Sequence, residues 1–229
     1  MKKMIMLAIL LSVATLGVAQ EKETRKLDDF SSIEVGEAIE LIITQGDKNE
    51  AVIEVDDIDL DDVITEVRGS ELNIERKNSN RNSSNNRGEV VVRLIYKEID
   101  EISVNSAASV FSKSIIKAKE FELNASSAGQ MELELEVEEL QVEVSSAGNV
   151  EVAGTCSSLD LEVSSAGRYE GYDLVCTTIK AEASSGGSGE VFVKNRLDAD
   201  AGSGGAIYYK GDPDKVLADS NLGGRIQKG

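Results

Sequence analysis

Catalysis in this chain would have to proceed without histidine, because none occurs among its 229 residues. That removes the commonest general acid/base and the commonest zinc ligand. The remaining reactive groups are 42 acidic side chains against 24 basic ones, two cysteines and a series of serine pairs. The pairs Ser126-Ser127, Ser145-Ser146, Ser164-Ser165 and Ser184-Ser185 resemble nucleophiles only superficially. A serine nucleophile needs a positioned base, and recurrence at fixed spacing indicates a turn. Polysaccharide lyases on β-helices combine calcium-holding acids with an Arg or Lys base. Here Arg168, Lys180, Lys194 and Arg196 are scattered rather than columnar. Acyltransferases on left-handed solenoids need a histidine. No catalytic, cofactor-binding or metal-ligating residue is assigned, and the chain reads as a non-enzyme. A formal charge of −18 argues against nucleic acid as a partner, since phosphate binding requires clustered Lys and Arg. There is no Trp for stacking on sugars, and Tyr208 and Tyr209 alternate, so at most one faces outward.

What positions the acids and cysteines is a repeat. Ser126-Ser127-Ala128-Gly129 recurs as Ser145-Ser146-Ala147-Gly148 and Ser164-Ser165-Ala166-Gly167. It degrades to Ser184-Ser185-Gly186-Gly187, Gly202-Ser203-Gly204-Gly205 and Asn221-Leu222-Gly223-Gly224. The closing glycines, Gly129, Gly148, Gly167, Gly187, Gly205 and Gly224, step by 19, 19, 20, 18 and 19 residues. They are read as structural, because a tight bend needs small residues or positive φ. Alternating segments precede each turn, as in Leu140-Gln-Val-Glu-Val144 and Leu159-Asp-Leu-Glu-Val163, and shorter ones follow, as in Val150-Glu-Val152. Strict alternation means half-buried strand, not helix.

One such unit is too small to form a core, so the units must stack, each covering its neighbour's apolar face. Equivalent residues then lie about 4.8 Å apart. Leu140, Leu159 and Ile179 form one interior column, and Val142, Leu161 and Ala181 another. An odd period requires one break in alternation per coil, which a second turn can supply. The interior shrinks toward the C-terminus, where Val144 and Val163 give way to Ala183 and Ala201. Cys156 and Cys176 occupy matching sites in consecutive coils. A disulfide between them is expected, since their stacking distance falls inside the roughly 4.4–6.8 Å that such a bond accepts; two buried free thiols are the alternative. Outward positions give two acidic columns: Asn124, Glu143, Glu162, Glu182, Asp200, and Glu132, Glu151, Glu170, Glu190. Both weak calcium binding between coils and a solvated face that blunts edge pairing are open to them.

Residues 25–104 are less regular but strand-like, and KNSNRNSSNNRG, Lys77 to Gly88, is a polar low-complexity loop. The predicted fold class is all-β: a single-stranded right-handed parallel β-helix, pectin-lyase-like, with coils of about 19 residues. One solenoid domain is expected over 20–229, with irregular coils at 25–104 and regular repeats at 105–228. It is preceded by a signal peptide at 1–19. Lys2 and Lys3 lead an apolar run ending Gly17-Val18-Ala19 before Gln20, as a cleavable leader does. Export, to the periplasm, the outer surface or the medium, follows from it. No later stretch is apolar enough to span a bilayer.

The ordered features resemble a known family. Phe30-x-x-Ile33-x-Val35 opens the domain, Gln45-Gly46 follows a strand, and Gly69-x-x-Leu72-x-Ile74 closes the first third. The serine/glycine turns follow, and Tyr209-Lys-Gly-Asp-Pro213 precedes the last repeat. In this order they resemble the putative auto-transporter adhesin, head GIN domain family, over about residues 25 to 228. The resemblance implies a right-handed β-helix without recognised catalytic residues and a role in cell adhesion. Three turns here are Ser-Ser-Ala-Gly where the family often has Gly-Ser-Gly, and no translocator β-barrel supports the auto-transporter label. The function expected is a non-enzymatic extracytoplasmic scaffold for a protein or cell-surface partner. The alternative is a carbohydrate-binding or polysaccharide-degrading protein of pectin-lyase shape. Open β edges also predict self-association as a homo-oligomer.

Overall fold

The computed structural model describes residues 21–77 and 88–229; the predicted leader and most of the Lys77 to Gly88 loop lie outside them. The described residues form strands throughout, apart from one 3-10 turn at Leu60–Asp62. The N-terminal third carries β1 (Glu21–Lys26), β2 (Ser32–Val35), β3 (Glu40–Gln45), β4 (Glu50–Asp56), β5 (Val63–Arg68), β6 (Glu71–Arg76) and β7 (Glu89–Tyr96). The regular part carries β8 (Glu101–Val104), β9 (Ser109–Ser112), β10 (Ile116–Ala125), β11 (Gln130–Val144), β12 (Asn149–Val163), β13 (Arg168–Ala183) and β14 (Ser188–Ala201). It closes with β15 (Ala206–Lys210), β16 (Lys215–Ser220) and β17 (Arg225–Lys228). Together they make a β-solenoid of about seven turns.

From β8 onward every ladder is parallel and joins a coil to the next. Leu140 pairs with Leu159 and Leu159 with Ile179 in register, and all three are buried. Val163, Ala183 and Ala201 form one file, so the interior does hold smaller side chains toward the C-terminal end. The break in alternation is not a separate turn. The long strands run straight through it, with Glu138 and Glu139 both outward between buried Val137 and Leu140. At this bend Lys119, Glu138, Ser157 and Thr177 drop out of the ladders, which resume one residue later. A bend inside a strand serves because it costs only one unpaired residue per coil. The 20-residue step before Gly187 is taken up in β13, whose register against β12 moves by one between Glu170 and Asp173; Tyr172, Asp173 and Leu174 then have no partner in β14.

The N-terminal third departs from a simple parallel coil in two ways. First, the coil that comes first in sequence is not first in the stack. β2 lies between β6 and β8, and β3 between β7 and β9, all parallel. Segment 97–100 must therefore pass outside the first coil to reach β8. Asn49, nearly buried, clasps this crossing: its amide donates to Asp28 O (3.2 Å) and Asp29 Oδ1 (3.1 Å) and accepts from the Lys97 N–H (3.0 Å). Second, the outermost strands are antiparallel: β5 on β6, β4 on β7 and β1 on β4. They close this end of the core, burying Ala51, Ile53, Val55 and Val63. A short reversal lets an end strand double back over its own neighbour, which a further parallel coil could not do without a long connection.

Candidate functional site

The stacked corner is built from a type I′ turn. In Ser126 to Gly129, Ser127 and Ala128 have φ of 49° and 62°, and the Gly129 N–H donates to Ser126 O at 2.8 Å. The left-handed residues are thus serine and alanine, not the closing glycine. Glycine is needed at the fourth position for a different reason. A Cβ on Gly129, Gly148, Gly167 or Gly187 would sit 2.5–2.7 Å from a carbonyl oxygen of the preceding coil. Gly205 and Gly224 occupy equivalent positions against Ala183 and Ala201. The ladder continues round the corner, since the Ala128 N–H donates to Ser146 O and the Ala147 N–H to Ser165 O. With their backbone fixed in this way, the serines serve the turn.

Cys156 and Cys176 are directly opposed across the β12–β13 ladder, sulfur to sulfur, with Cα atoms 4.6 Å apart. Both are buried among the interior columns.

The two acidic columns stand on different stretches of the coil, one before and one after the corner turn. Asn124, Glu143, Glu162, Glu182 and Asp200 are consecutive ladder partners on one, and Glu132, Glu151, Glu170 and Glu190 on the other. Among the described residues no cluster of three or more potential ligands converges to hold a metal ion. The second column borders a shallow groove of about 320 Å³ that also takes in Glu134, Tyr172 and Asp173. Tyr172 projects from the extra residues of β13, and Lys210 Nζ lies 3.9 Å from its ring centroid, a cation–π contact. The spacing of the repeat gives no signal for it, because it arises where the repeat is broken.

The larger groove, about 640 Å³, runs along the first wall at the bend. One bank follows a single ladder file: Glu101, Glu122, Gln141, Asp160, Lys180, Asp198. Its Glu101 end is acidic, and burial, then the neighbouring Glu122 carboxylate, raises the Glu101 carboxyl above the ordinary range. Its other end is basic but neutralised. Lys180 pairs with Glu182 (2.9 Å) and Asp160 (3.6 Å), and Arg196 with Asp198 (3.0 Å). Arg168 likewise reaches Glu170 at 3.4 Å. Arg168, Lys180 and Arg196 are thus occupied in surface ion pairs, with Lys180 held between Asp160 and Glu182. Tyr208 and Tyr209 are both half-buried, Tyr208 in file with Glu190 and Tyr209 with Val191.

This coil-on-coil stack, with its closing glycines and outward carboxylates, can be set against known proteins. Residues 29–213 match the family described as "Putative auto-transporter adhesin, head GIN domain". The chain belongs to that family. Its match ends at Pro213, so β16 and β17 lie beyond it. A putative adhesin of Bacteroides fragilis has a similar crystal structure, with a TM-score of 0.81 at 18% identity, covering 93% of this chain and 98% of that one. A putative adhesin of Parabacteroides merdae gives 0.71 at 18%, covering 92% and 96%. A putative lipid binding protein of Parabacteroides distasonis gives 0.70 at 23%, also covering 92% and 96%. At these identities the likeness is one of fold. No curated protein matches the chain. No helix among the described residues is long and apolar enough to cross a membrane.

Proposed function

We propose that this head GIN domain protein is an extracytoplasmic, non-enzymatic scaffold whose outer walls engage a protein or cell-surface partner. The observation that carries the reading is the use of its ionisable groups. Carboxylates lie in ordered outward columns, while the bases nearest the larger groove are spent in pairs with them. Such walls are stiff, because each strand is held by the coils on either side, and they offer a partner a fixed lattice of charge. The family's description as a putative adhesin and the putative adhesins of the same fold support the reading. We propose further that the apposed Cys156 and Cys176 are joined as a disulfide, consistent with an oxidising compartment.

Adhesion of beads coated with the purified chain to the surface of the producing cells tests the reading. Replacing Glu143, Glu162 and Glu182 by lysine on one wall, or Glu132, Glu151 and Glu170 on the other, should abolish adhesion in one set and spare it in the other. Equal adhesion by both sets and the parent chain would refute a wall-specific interaction. Depolymerisation of an acidic polysaccharide by the same preparation, with or without calcium, would replace it with the enzymatic alternative.

A further inference from the structure

The last coil is unlike those before it. β16 pairs with β14 and β17 with β15, and among the described residues neither has a strand partner on its far side. Among the described residues four large apolar side chains are exposed, and three of them stand here: Val216 and Leu217 at 40% and Leu222 at 81%. Val216 and Ala218 continue the interior files of Leu197 and Ala199. Val216 and Ala218 thus leave the end of the core uncovered, while Leu217 continues the outward file of Asp198 and Leu222 stands at the corner. The opposite end is finished by antiparallel strands. There Arg25 closes the seam between β1 and β5, donating to Val63 O (2.6 Å) and Leu60 O (3.0 Å). An uncapped coil finds no matching surface on a capped one, so the surface that fits it is another uncapped coil.

Backbone and charge agree on how two such coils meet. The Asn221 N–H donates to Ala201 O, which fixes the alternation along β16. The backbone groups of Lys215, Leu217 and Asp219 turn toward β14, and those of Val216 and Ala218 toward the free edge. An antiparallel pairing about a two-fold axis at Leu217 uses these free groups, setting Val216 against Ala218 of the partner subunit in hydrogen-bonded pairs. The same register sets Lys215 against Asp219 of the partner subunit, twice. Within its own wall each meets a like charge: Lys215 lies beside Arg196 and Asp219 beside Asp200. Strand addition across an exposed edge supplies main-chain bonds, and the charges select the register.

We propose that β16 is a homodimer interface through which two copies of this chain join end to end, antiparallel, into a closed pair. Antiparallel edge pairing by a two-fold uses the same surface on both subunits, so it stops at two. The pairing does not depend on what the outer walls bind.

Light scattering of the purified chain across micromolar concentrations is the test, with hydrogen exchange as a second measurement. The parent chain gives a dimer mass at tens of micromolar, and its Val216 and Ala218 amides exchange more slowly as concentration rises. Lys215→Glu alone, or Asp219→Lys alone, weakens dimerisation at least tenfold by placing like charges opposite one another. The double exchange Lys215→Glu/Asp219→Lys restores it. A parent chain that stays monomeric at 100 µM (about the upper range of such measurements), dimers indifferent to the single exchanges, or a double exchange that fails to rescue would each overturn the proposal.

Discussion

A methyl group at one corner position and its removal from the position before should have opposite effects. A Cβ on Gly148 would meet Ala125 O of the preceding coil at 2.6 Å, backbone against backbone, with no flexible side chain to yield. Gly148→Ala should therefore cost about 3 kcal/mol in urea unfolding, as overpacking against a fixed wall does. Ala147 has a φ of 61°, where an L side chain costs roughly 1–2 kcal/mol. Ala147→Gly removes that cost and loosens the unfolded chain by about 0.4–1 kcal/mol, so the net change should be a small gain. Later copies already carry glycine there, at Gly186 and Gly204. Equal losses in the two variants would show that the corner tolerates neither change, and that left-handed strain is not the issue. Glu101 makes a second case. Its raised carboxyl means that the folded chain binds protons more readily than the unfolded one. Its contribution to stability is thus full at low pH and is lost as pH rises through the folded value. Glu101→Gln should stabilise the protein at pH 7, and the gain should vanish below about pH 4, near the ordinary glutamate value. A gain that persists at low pH would assign the effect to packing instead.

At the scale of the element, the strands and their stacking order from Gln130 onward were legible because alternation and a 19-residue step are both local signals. Leu140, Leu159 and Ile179 align in the structure as their spacing requires. Three things were not legible. The bend at Glu138-Glu139 keeps strand geometry, so polarity alone could not distinguish it from a loop. The insertion of β2 and β3 between later strands depends on pairings across about forty to seventy residues, which no local pattern records. The acidic columns were legible as files, but the pairing of Lys180 with Glu182 and of Arg196 with Asp198 was not, since it depends on side-chain reach. The cysteine pair sits where both kinds of information meet, its files given by the repeat and its separation by the stack. If it is oxidised, replacing both residues by alanine should cost about 3 kcal/mol, the entropy of closing a loop one coil long. Alkylation of the unreduced chain, read by mass spectrometry, decides the bond: two modified thiols would remove it.

At the scale of the whole molecule, a solenoid is close to one-dimensional, and its stability should approximate a sum over coils and their contacts. On that basis the two ends ought to be unequal. Deleting residues 215–229 removes one outer coil with a single neighbour on each wall. The remaining chain should keep its strand content and lose stability only modestly. Deleting residues 21–46 removes β1 from the capped end and a coil from inside the stack: β6 and β8 lose the strand between them, and so do β7 and β9. The buried files through Ile33, Val35, Leu41 and Ile43 would be left as a gap. That chain should lose the cooperative unfolding transition of its first third, with the capping strands β4 to β7 detached from a regular part that still begins at β8. Circular dichroism and urea unfolding of the two truncations measure the difference. A single cooperative transition in the N-terminal deletion, at nearly the parent midpoint, would mean that β6 and β7 can close directly onto β8 and β9. The inserted coil would then be an addition to the stack rather than the piece that locks it.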